Sequence, residues 1–567
     1  METARRRRHR AYVPSNQPSG RPDGTTTSRL ARRPRLAGPG LLAAGVMAAA
    51  LVVTACGGGG DKPSKTSSAS TGAAAARAPA AAGAPASPAA PPPPSESADA
   101  VASIEYPGVQ HQHYRYGPIE IRPGQNPIVY KPTTEKPRVA GYITRFRPDL
   151  IYTNGKKPAV DVLHLHHGVW AMRKQTTFAA GEEKTITQFP KGFGYRYDPK
   201  DPWLLNYMLH NLEPTRAQVY LTWDVDFVPA AAAAKAGIKE VQPLWMDVGK
   251  GNYPVFDVHR GWGTNGRYTF PDQARGAERR KIGEGQHIKI PFDATLVAAG
   301  GHVHPGGLWV DLKSTRGNRT REVFRSDAKY FEPAGAVSWD ASMTFTRPDW
   351  RVAVRKGDTL SVSATYDTTR ASWYEVMGIM DPVWFSVDPT VKGVDPFTRR
   401  VDWHGVVTHG HLPENDNHGG AGGAAFPDLL GTMAGTSAPG AVSIKQFVYQ
   451  QGDIGRGGSI ARPPTVRQGG SLTFRNLDSP KGQDPALAIY HTITGCKSPC
   501  NQSTGIAYPL ADGATFDSGE LGYGPRGATA AANRIEWKTP KSLSPGDYTY
   551  FCRVHPFMRG AFRVVPR

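Results

Sequence analysis

The C-terminal part of the sequence carries a cysteine, a histidine and a methionine at close spacing: Cys552, His555 and Met558. An earlier histidine, His491, follows a short strand-like run. A thiolate, two imidazoles and a weak thioether form a ligand set that accommodates both Cu(I) and Cu(II). A strand that ends in the cysteine, followed by a tight loop, supplies three of these ligands, and the upstream histidine supplies the fourth. We therefore predict a type 1 copper site at these four residues.

This C-terminal segment resembles the cupredoxin family over roughly residues 440–567. The Cys-x-x-His-Pro-Phe-Met loop is most similar to that of amicyanin, and the run at Phe516 and the Pro-Gly-x-Tyr-x-Tyr-x-Cys pattern also match. The resemblance implies a Greek-key β-sandwich that transfers electrons. An insert at residues 479–488 and the pair Cys496 and Cys500 depart from the family pattern and predict elaborated loops at the copper end of the domain.

Histidines in the middle of the chain form three groups. The members are His164, His166 and His167 with a lone His210; His302 and His304; and His404, His409, His411 and His418. On a strand, His-x-His places both imidazoles on one face, where they can share a metal. Adjacent histidines point to opposite faces unless a bulge re-aims one of them. Each group alone is a weak signal, and a solvent-facing histidine pair is the alternative for each.

The order of the first two groups is more informative than either group alone. A His-His pair, a lone histidine, a His-x-His and a later methionine resemble the copper type II monooxygenases, over roughly residues 130–395. That resemblance implies two jelly-roll domains that face each other across a solvent cleft. The implied ligands are His166, His167 and His210 for an electron-relaying copper, and His302, His304 and Met377 for a copper that binds O₂ and hydroxylates substrate. The stretch departs from the family in having no cysteine and in a short spacing from His167 to His210.

The third histidine group has no counterpart in that family. Its residues, His404, His409, His411 and His418, form either a polar linker flanked by glycines or a third metal site. Glu414 and Asp416 are available there as ligands or as partners of ligands.

The elements that must position these residues are strands. Beyond residue 105, apolar and polar residues alternate with period two, for example in residues 218–228, 359–366 and 471–475. Only residues 230–239 have a helical composition. We therefore predict an all-β protein with two jelly-roll sandwiches and a cupredoxin Greek-key sandwich. The predicted segments are a signal peptide (1–55), a tether (56–105), jelly rolls (106–260 and 261–400), a His-rich segment with a Gly/Ala-rich linker (401–440) and the cupredoxin domain (441–567).

The N-terminus has the composition of an export signal. Ten arginines in residues 1–55 precede or flank an apolar run at 41–53, which ends in Val-Thr-Ala-Cys at Cys56. This ending resembles a bacterial lipobox, in which the cysteine is lipidated, and an ordinary signal peptide is the alternative. In an exported protein, Cys496 and Cys500 favour a disulfide over a metal pair. The net charge of +20 comes without a basic motif interleaved with aromatics, so we expect no nucleic-acid partner.

Together these features predict an exported, membrane-anchored redox protein with several coppers. We expect type 1 electron transfer coupled to copper-dependent oxidation of a small organic substrate by O₂, with reducing equivalents from a partner protein or a small reductant. The alternative is a lipoprotein that stores or delivers copper without turnover. A third reading is a structural jelly-roll pair that carries an electron-transfer domain.

The lipobox interpretation makes a simple prediction for Cys56. Replacement of Cys56 by Ser removes the thiol that accepts the lipid, so the variant should move from the membrane fraction to the soluble fraction. Fractionation followed by immunoblotting measures this shift. A variant with a cleaved signal that still sediments with membranes would contradict the prediction.

Overall fold

A computed structural model describes residues 100–567 apart from the segments 413–440, 454–463, 483–488, 498–514 and 524–533 and the short gaps at 123–127, 134, 161, 213–214, 252, 332–334, 338, 370–371, 554 and 556–557. The predictions about the signal peptide, Cys56, most of the tether, the Gly/Ala-rich linker, His418 and Cys500 fall outside these residues. The described part contains no helix with the length and hydropathy needed to cross a bilayer.

The first sandwich and the strand that follows it comprise ten strands and one short helix. They are β1 (Gln110–Ile121), β2 (Val129–Thr133), β3 (Gly141–Tyr152), β4 (Leu163–Met172), β5 (Gln175–Ala180), β6 (Thr187–Gln188), β7 (Phe193–Tyr197), β8 (Trp203–Asn211), β9 (Ala217–Pro229), α1 (Ala230–Lys235) and β10 (Lys239–Asp247). One sheet has the order β1-β9-β3-β7-β10, and the other has the order β2-β8-β4-β5. Their inner faces pack through aromatic pairs such as Trp170 and Trp223, whose ring centroids lie 5.6 Å apart.

The second sandwich comprises twelve strands. They are β11 (Phe256–Val258), β12 (Arg267–Phe270), β13 (His287–Lys289), β14 (Ala294–Val303), β15 (Gly307–Arg316), β16 (Arg319–Tyr330), β17 (Ala341–Thr346), β18 (Val352–Val354), β19 (Thr359–Asp367), β20 (Trp373–Val376), β21 (Gly378–Ser386) and β22 (Gly405–Val407). Short 3₁₀ helices lie at Glu278–Lys281, Glu284–Gln286 and Gly335–Val337. Strands β10-β21-β14-β17 and β16-β15-β19-β12 run as one continuous sheet that folds around a shared apolar core.

Strand β10 joins the two sandwiches. Its first half pairs in parallel with β7 of the first sandwich, from Lys239 to Val241. Its second half pairs antiparallel with β21 of the second sandwich, from Gln242 to Asp247. The following strand, β11, already pairs with β20. The structure therefore places the passage from one sandwich to the next within β10, upstream of the predicted boundary at residue 260.

The described residues of the third domain form a two-sheet sandwich with nine strands. They are β23 (Ala441–Lys445), β24 (Val448–Tyr449), β25 (Thr465–Arg467), β26 (Thr473–Asn476), β27 (Thr494–Lys497), β28 (Phe516–Asp517), β29 (Glu536–Lys538), β30 (Gly546–Phe551) and β31 (Arg559–Val565). The sheet orders are β24-β23-β26-β29 and β25-β31-β30-β27-β28, with parallel pairing of β23 with β26 and of β25 with β31. Alternation is clear in β23, where Val442 and Ile444 are buried while Ala441 and Lys445 are exposed.

The all-β prediction is confirmed, and the three quoted period-two runs overlap strands β9, β19 and β26. The predicted helical stretch at 230–239 is a single short helix over Ala230–Lys235. Thus the periodicity identified the element type, whereas the pairing of β10 with both sandwiches depends on contacts between distant parts of the chain.

The shared strand predicts that the two sandwiches unfold together. Trp384 of β21 is fully buried and contacts Phe178 and Phe189 of the first sandwich and Phe345 of the second. We expect Trp384→Ala to lower the free energy of unfolding by about 3–5 kcal/mol, because it opens a cavity in a core that both sandwiches share. Calorimetry should show one transition that shifts as a unit, whereas Phe292→Ala at an exposed position should change little. Two transitions, of which only one shifts, would contradict a joint core.

Candidate metal centres

The third domain, which we continue to call the cupredoxin domain after the sequence prediction, brings three of its four predicted ligands together at one end of the sandwich. The Sγ atom of Cys552 lies 3.8 Å from Nδ1 of His491 and 3.5 Å from Nδ1 of His555, and the two nitrogens lie 3.1 Å apart. All three side chains are fully buried. Met558 is also fully buried, and its backbone N–H donates to the carbonyl of His555. A thiolate and two imidazole nitrogens that face a common point fit a copper ion.

Neighbouring groups fix the orientation of these ligands. The Nε2–H of His491 donates to Asp478 over 3.0 Å, so its Nδ1 atom faces Cys552. The backbone N–H of Thr492 donates to the Cys552 sulfur over 3.3 Å. Burial disfavours the charged imidazole of His491, but the hydrogen bonds and charges of Asp478 and Cys552 outweigh it and raise its pKa to about 9. Hydrogen bonds from the polypeptide therefore orient His491 and the Cys552 sulfur toward each other.

A second group of buried histidines lies between the first two sandwiches. We call His164, His166, His167, His210, His302 and His304 the histidine cluster. The ring of His166 lies 4.2 Å from that of His304 and 4.5 Å from that of His210, measured between centroids. The rings of His302 and His304 lie 4.8 Å apart. The resemblance implies two copper sites that a solvent cleft separates. In the structure, histidines from both of these implied sites lie in one buried group instead.

The local geometry of strand β4 brings its histidines into this group. His164 pairs directly with His210 across β4 and β8, with 3.2 Å between their ring nitrogens. The register between these strands shifts between Leu165 and His167, so the strand bulges at His166. The bulge leaves Nδ1 of His166 only 3.4 Å from Nδ1 of His167. Adjacent histidines in a regular strand would point to opposite faces.

Two glutamates in the turn after β5 complete the cluster. Nδ1 of His302 donates to Glu183 over 3.0 Å, and Nδ1 of His304 is hydrogen-bonded to Glu182 over 2.9 Å. Ligand atoms of His166, Glu182 and His304 lie within 4.8 Å of one another, as do those of Glu182, Glu183 and His302. The turn passes so close that a Cβ on Gly181 would lie 2.5 Å from the His302 ring. Glycine is therefore needed where the turn meets the second sandwich.

Several donor atoms of the cluster have no hydrogen-bond partner, and these atoms show whether the cluster suits a metal ion. Among the described residues, Nε2 of His210, His302 and His304 and Oε2 of Glu182 are buried without a hydrogen-bond partner. Buried polar atoms without partners are costly, and a bound cation would satisfy them. A carboxylate on Nδ1 that leaves Nε2 free is the arrangement by which proteins orient metal-binding imidazoles. Imidazole and carboxylate donors together fit copper, and they also suit zinc or iron.

The electrostatics favour imidazoles that are ready to bind a cation. Burial, followed by the neighbouring histidines, holds the pKa of His166 and His210 well below the ordinary value. Burial likewise lowers the pKa of His164 and His167 to about 3. Most of the cluster is therefore neutral near pH 7, with the lone pairs that metal coordination requires.

His302 and the two glutamates behave differently. Burial opposes the charged imidazole of His302, but Glu183 outweighs it and raises the pKa of His302. The same pairing lowers the pKa of Glu183 against the effect of burial, whereas burial raises the pKa of Glu182 well above its usual range. Without a metal, the pairing with Glu183 thus favours the charged form of His302, while burial favours the neutral form of Glu182.

Met377 lies beside the cluster. It directly precedes Gly378, which pairs with Val303 between the two histidines of the second group. Its buried side chain packs with Met208, Tyr253 and Ile379, and its carbonyl accepts a hydrogen bond from Tyr366, which in turn accepts one from the backbone N–H of His304. The structure places this predicted ligand in an apolar cluster next to the histidines.

The three described members of the third histidine group have separate hydrogen-bond partners and form no common metal-binding group. His404 is exposed and is hydrogen-bonded to Asp402, and His411 is hydrogen-bonded to Asp340. Buried His409 is hydrogen-bonded through Nε2 to the carbonyl of Glu183. His409 thus supports the glutamate turn, while the other two described members have separate carboxylate partners.

A small cavity separates the histidine cluster from the cupredoxin domain. We call it the chamber; its volume is about 60 Å³ and its lining includes His166, His304, Glu375, Tyr490, Glu520 and Arg553. Tyr490 and Arg553 are the chain neighbours of the predicted copper ligands His491 and Cys552. Glu375 has a φ of 51°, a left-handed conformation that is strained for a residue with a side chain. Tyr490 and Arg553, which adjoin predicted type 1 ligands in the chain, therefore line the same cavity as His166 and His304 of the histidine cluster.

Comparisons with known proteins add little beyond this geometry. No protein-family model matches the chain, and no curated protein matches it. Among solved structures, the chain is similar to a copper-containing nitrite reductase (NirK) from Thermus scotoductus SA-01, with 14% sequence identity over 49% of this chain and a TM-score of 0.14. The chain spans 58% of that protein's length. A likeness with so low a TM-score carries no argument about this chain.

Several residues of these centres had no distinctive sequence signal. Glu182 and Glu183 stand in a Gly-Glu-Glu-Lys turn, which is indistinguishable from a solvent-exposed turn. Arg553 and Tyr490 stand out only through their adjacency to predicted ligands. His164 carried a signal, since its His-x-His spacing with His166 predicts that the two share a face.

The type 1 ligand geometry predicts the effect of removing the thiolate. Copper-loaded Cys552→Ser should lose the intense visible absorption of a copper–thiolate centre, because a hydroxyl cannot replace the thiolate donor. Met558→Leu should keep the colour and change the reduction potential, since an axial thioether is a weak ligand. Absorption spectra and redox titrations measure both effects. A blue band that persists in Cys552→Ser would contradict the assignment.

Proposed function

We propose that this protein is an exported copper oxidoreductase in which a type 1 site in the cupredoxin domain exchanges electrons with a metal centre in the histidine cluster. Copper would supply one-electron redox chemistry at both places. Cys552, His491, His555 and Met558 would hold the first ion. Histidines from both sandwiches, with Glu182, would hold the metal of the second centre. The observation that carries the proposal is the chamber, whose walls combine the histidine cluster with the chain neighbours of the type 1 ligands.

The path between the centres is short in covalent terms. Cys552 is bonded through the chain to Arg553, and His491 to Tyr490, and both neighbours line the chamber opposite His166 and His304. The backbone N–H of Arg553 also donates to the side chain of Thr492 over 2.8 Å, which ties the two ligand-bearing segments together. These links give electrons a bonded route out of the type 1 site that ends at the chamber.

The size of the chamber bears on the substrate. About 60 Å³ accommodates a few water-sized molecules, since one water needs roughly 10–15 Å³. Sites for organic ligands usually have volumes of roughly 300–1,000 Å³. A small oxidant such as O₂ therefore suits the chamber better than the organic substrate that the monooxygenase resemblance implies. We propose that a partner protein or a small reductant supplies the electrons, and that a lipid on Cys56 anchors the protein outside the cytoplasm.

The proposal predicts that reoxidation of the type 1 site depends on the histidine cluster. The reduced, copper-loaded full chain is mixed rapidly with O₂, and the return of the blue colour is followed. His304→Ala should slow this return by about 10-fold or more, because loss even of a hydrogen-bond partner of a metal ligand typically costs about 10- to 100-fold. His404→Ala is the matched control, since His404 is exposed and its ring is hydrogen-bonded to Asp402, away from the histidine cluster.

Two results would decide against electron exchange between the centres. Reoxidation of His304→Ala at the wild-type rate would show that the cluster is not on the route. A wild-type chain that binds copper in the cluster but is not reoxidised at all would favour the alternative function of copper storage or delivery.

A further inference from the structure

The cupredoxin domain contacts the second sandwich through one buried arginine. Arg553 is only 2% exposed, and its Nη1 donates to Asp517 over 3.0 Å within the cupredoxin domain. Its guanidinium also lies over two rings of the second sandwich, 5.2 Å from the centroid of Tyr374 and 5.7 Å from that of Trp373. A planar guanidinium stacks on aromatic faces and pairs with a carboxylate at the same time, which an ammonium group does less well.

The contact is reinforced from the sandwich side. The Tyr374 hydroxyl donates to the same Asp517 oxygen that accepts from Arg553, over 3.2 Å. The Tyr374 ring also lies against Gly519 of the cupredoxin domain, since a Cβ built there would be in van der Waals contact with it at 3.4 Å. Asp517 thus accepts hydrogen bonds from both domains, and the aromatic pair encloses the arginine.

The same residues close one side of the chamber. Arg553, Tyr490 and Glu520 from the cupredoxin domain line it opposite His166 and His304. Tyr490 is 3% exposed and Glu520 is 6% exposed. The Tyr490 hydroxyl and Oε2 of Glu520 have no hydrogen-bond partner among the described residues. Buried polar atoms in a cavity wall point to a small polar occupant within the cavity.

We propose that the docked cupredoxin domain forms one wall of the chamber, and that Arg553 holds this wall so that only molecules of a few heavy atoms reach the histidine cluster. Arg553 is a positioning residue, which holds the cupredoxin domain against the Trp373 and Tyr374 rings of the second sandwich. The inference rests on the proposed function in that it takes the histidine cluster to bind copper. It adds that the electron-transfer domain also selects what the cluster can bind.

Two probe ligands of different size test this wall. Azide has three heavy atoms in a line, whereas imidazole is a planar ring with a greater cross-section, which we expect the wall to keep from the histidines. The copper-loaded full chain is titrated with each probe, and the electron paramagnetic resonance signal of the non-blue copper is recorded. In the wild-type protein we expect azide to change this signal and imidazole to leave it unchanged. In Arg553→Ala both probes should change it, because the wall is no longer held.

Two further variants make the result specific. Arg563→Ala is the matched control, since Arg563 forms a comparable pair with Asp547 in the same domain and is not part of the chamber lining given above. It should behave as the wild-type protein does. Tyr374→Ala removes the aromatic ring from the sandwich side and should admit imidazole even if Arg553→Ala does not fold. Retained blue absorption verifies that the cupredoxin domain of each variant is intact.

The outcomes separate this inference from the proposed function. A wild-type protein without any non-blue copper signal would overturn the proposed function and this inference with it. If the non-blue copper signal is normal but imidazole changes it equally in the wild-type protein and in Arg553→Ala, the claim that Arg553 holds the chamber wall is wrong. The proposed function would stand. A wild-type signal that azide does not change would also overturn the claim about the wall, because the chamber would then admit no small molecule.

Discussion

The burial of six imidazoles and two carboxyls between two β-sandwiches is the constraint on which the rest of the structure depends. Polar groups removed from water destabilise a protein unless they find partners, and buried charges do so more strongly. Here the Nδ1 atoms of His302 and His304 have carboxylate partners, while their Nε2 atoms have none among the described residues. A bound cation would offset this cost, which is why we regard the cluster as a metal centre and not as a polar core.

The proposed ligands come from two sandwiches, so the two sandwiches must be held rigidly relative to each other. Strand β10 provides this rigidity, because its two halves belong to the sheets of different sandwiches, and Trp384 packs against aromatic residues of both. The bulge at His166, the glycine at position 181 and the bond from His409 to the Glu183 carbonyl then adjust individual donors. The cupredoxin domain also contributes to this region, because Arg553 of its predicted ligand loop lines the chamber beside the histidine cluster.

The parts of this arrangement that follow local rules could be predicted from the sequence. The all-β fold followed from period-two alternation, and three residues of the predicted type 1 set were recognisable because a strand, Cys552 and a tight loop with His555 and Met558 lie within a few residues of one another. The convergence of His166 and His304 was not predictable, because it depends on the pairing of β10 with strands that are distant in the chain. Glu182 and Glu183 were missed because a charged turn has no spacing that distinguishes a ligand from a solvated side chain. The separation of His404, His409 and His411 was likewise set by carboxyl and carbonyl partners far away in the sequence.

The central claim is that one metal centre uses histidines from both sandwiches, and a metal count on single and double variants tests it most directly. Copper bound outside the type 1 site is measured by elemental analysis and spin quantitation in His166→Ala, in His304→Ala and in the double variant. A shared centre predicts that either substitution removes the same copper and that the double variant loses no more than the single variants do. Separate sites in the two sandwiches would give losses that add up, and that result would contradict the account.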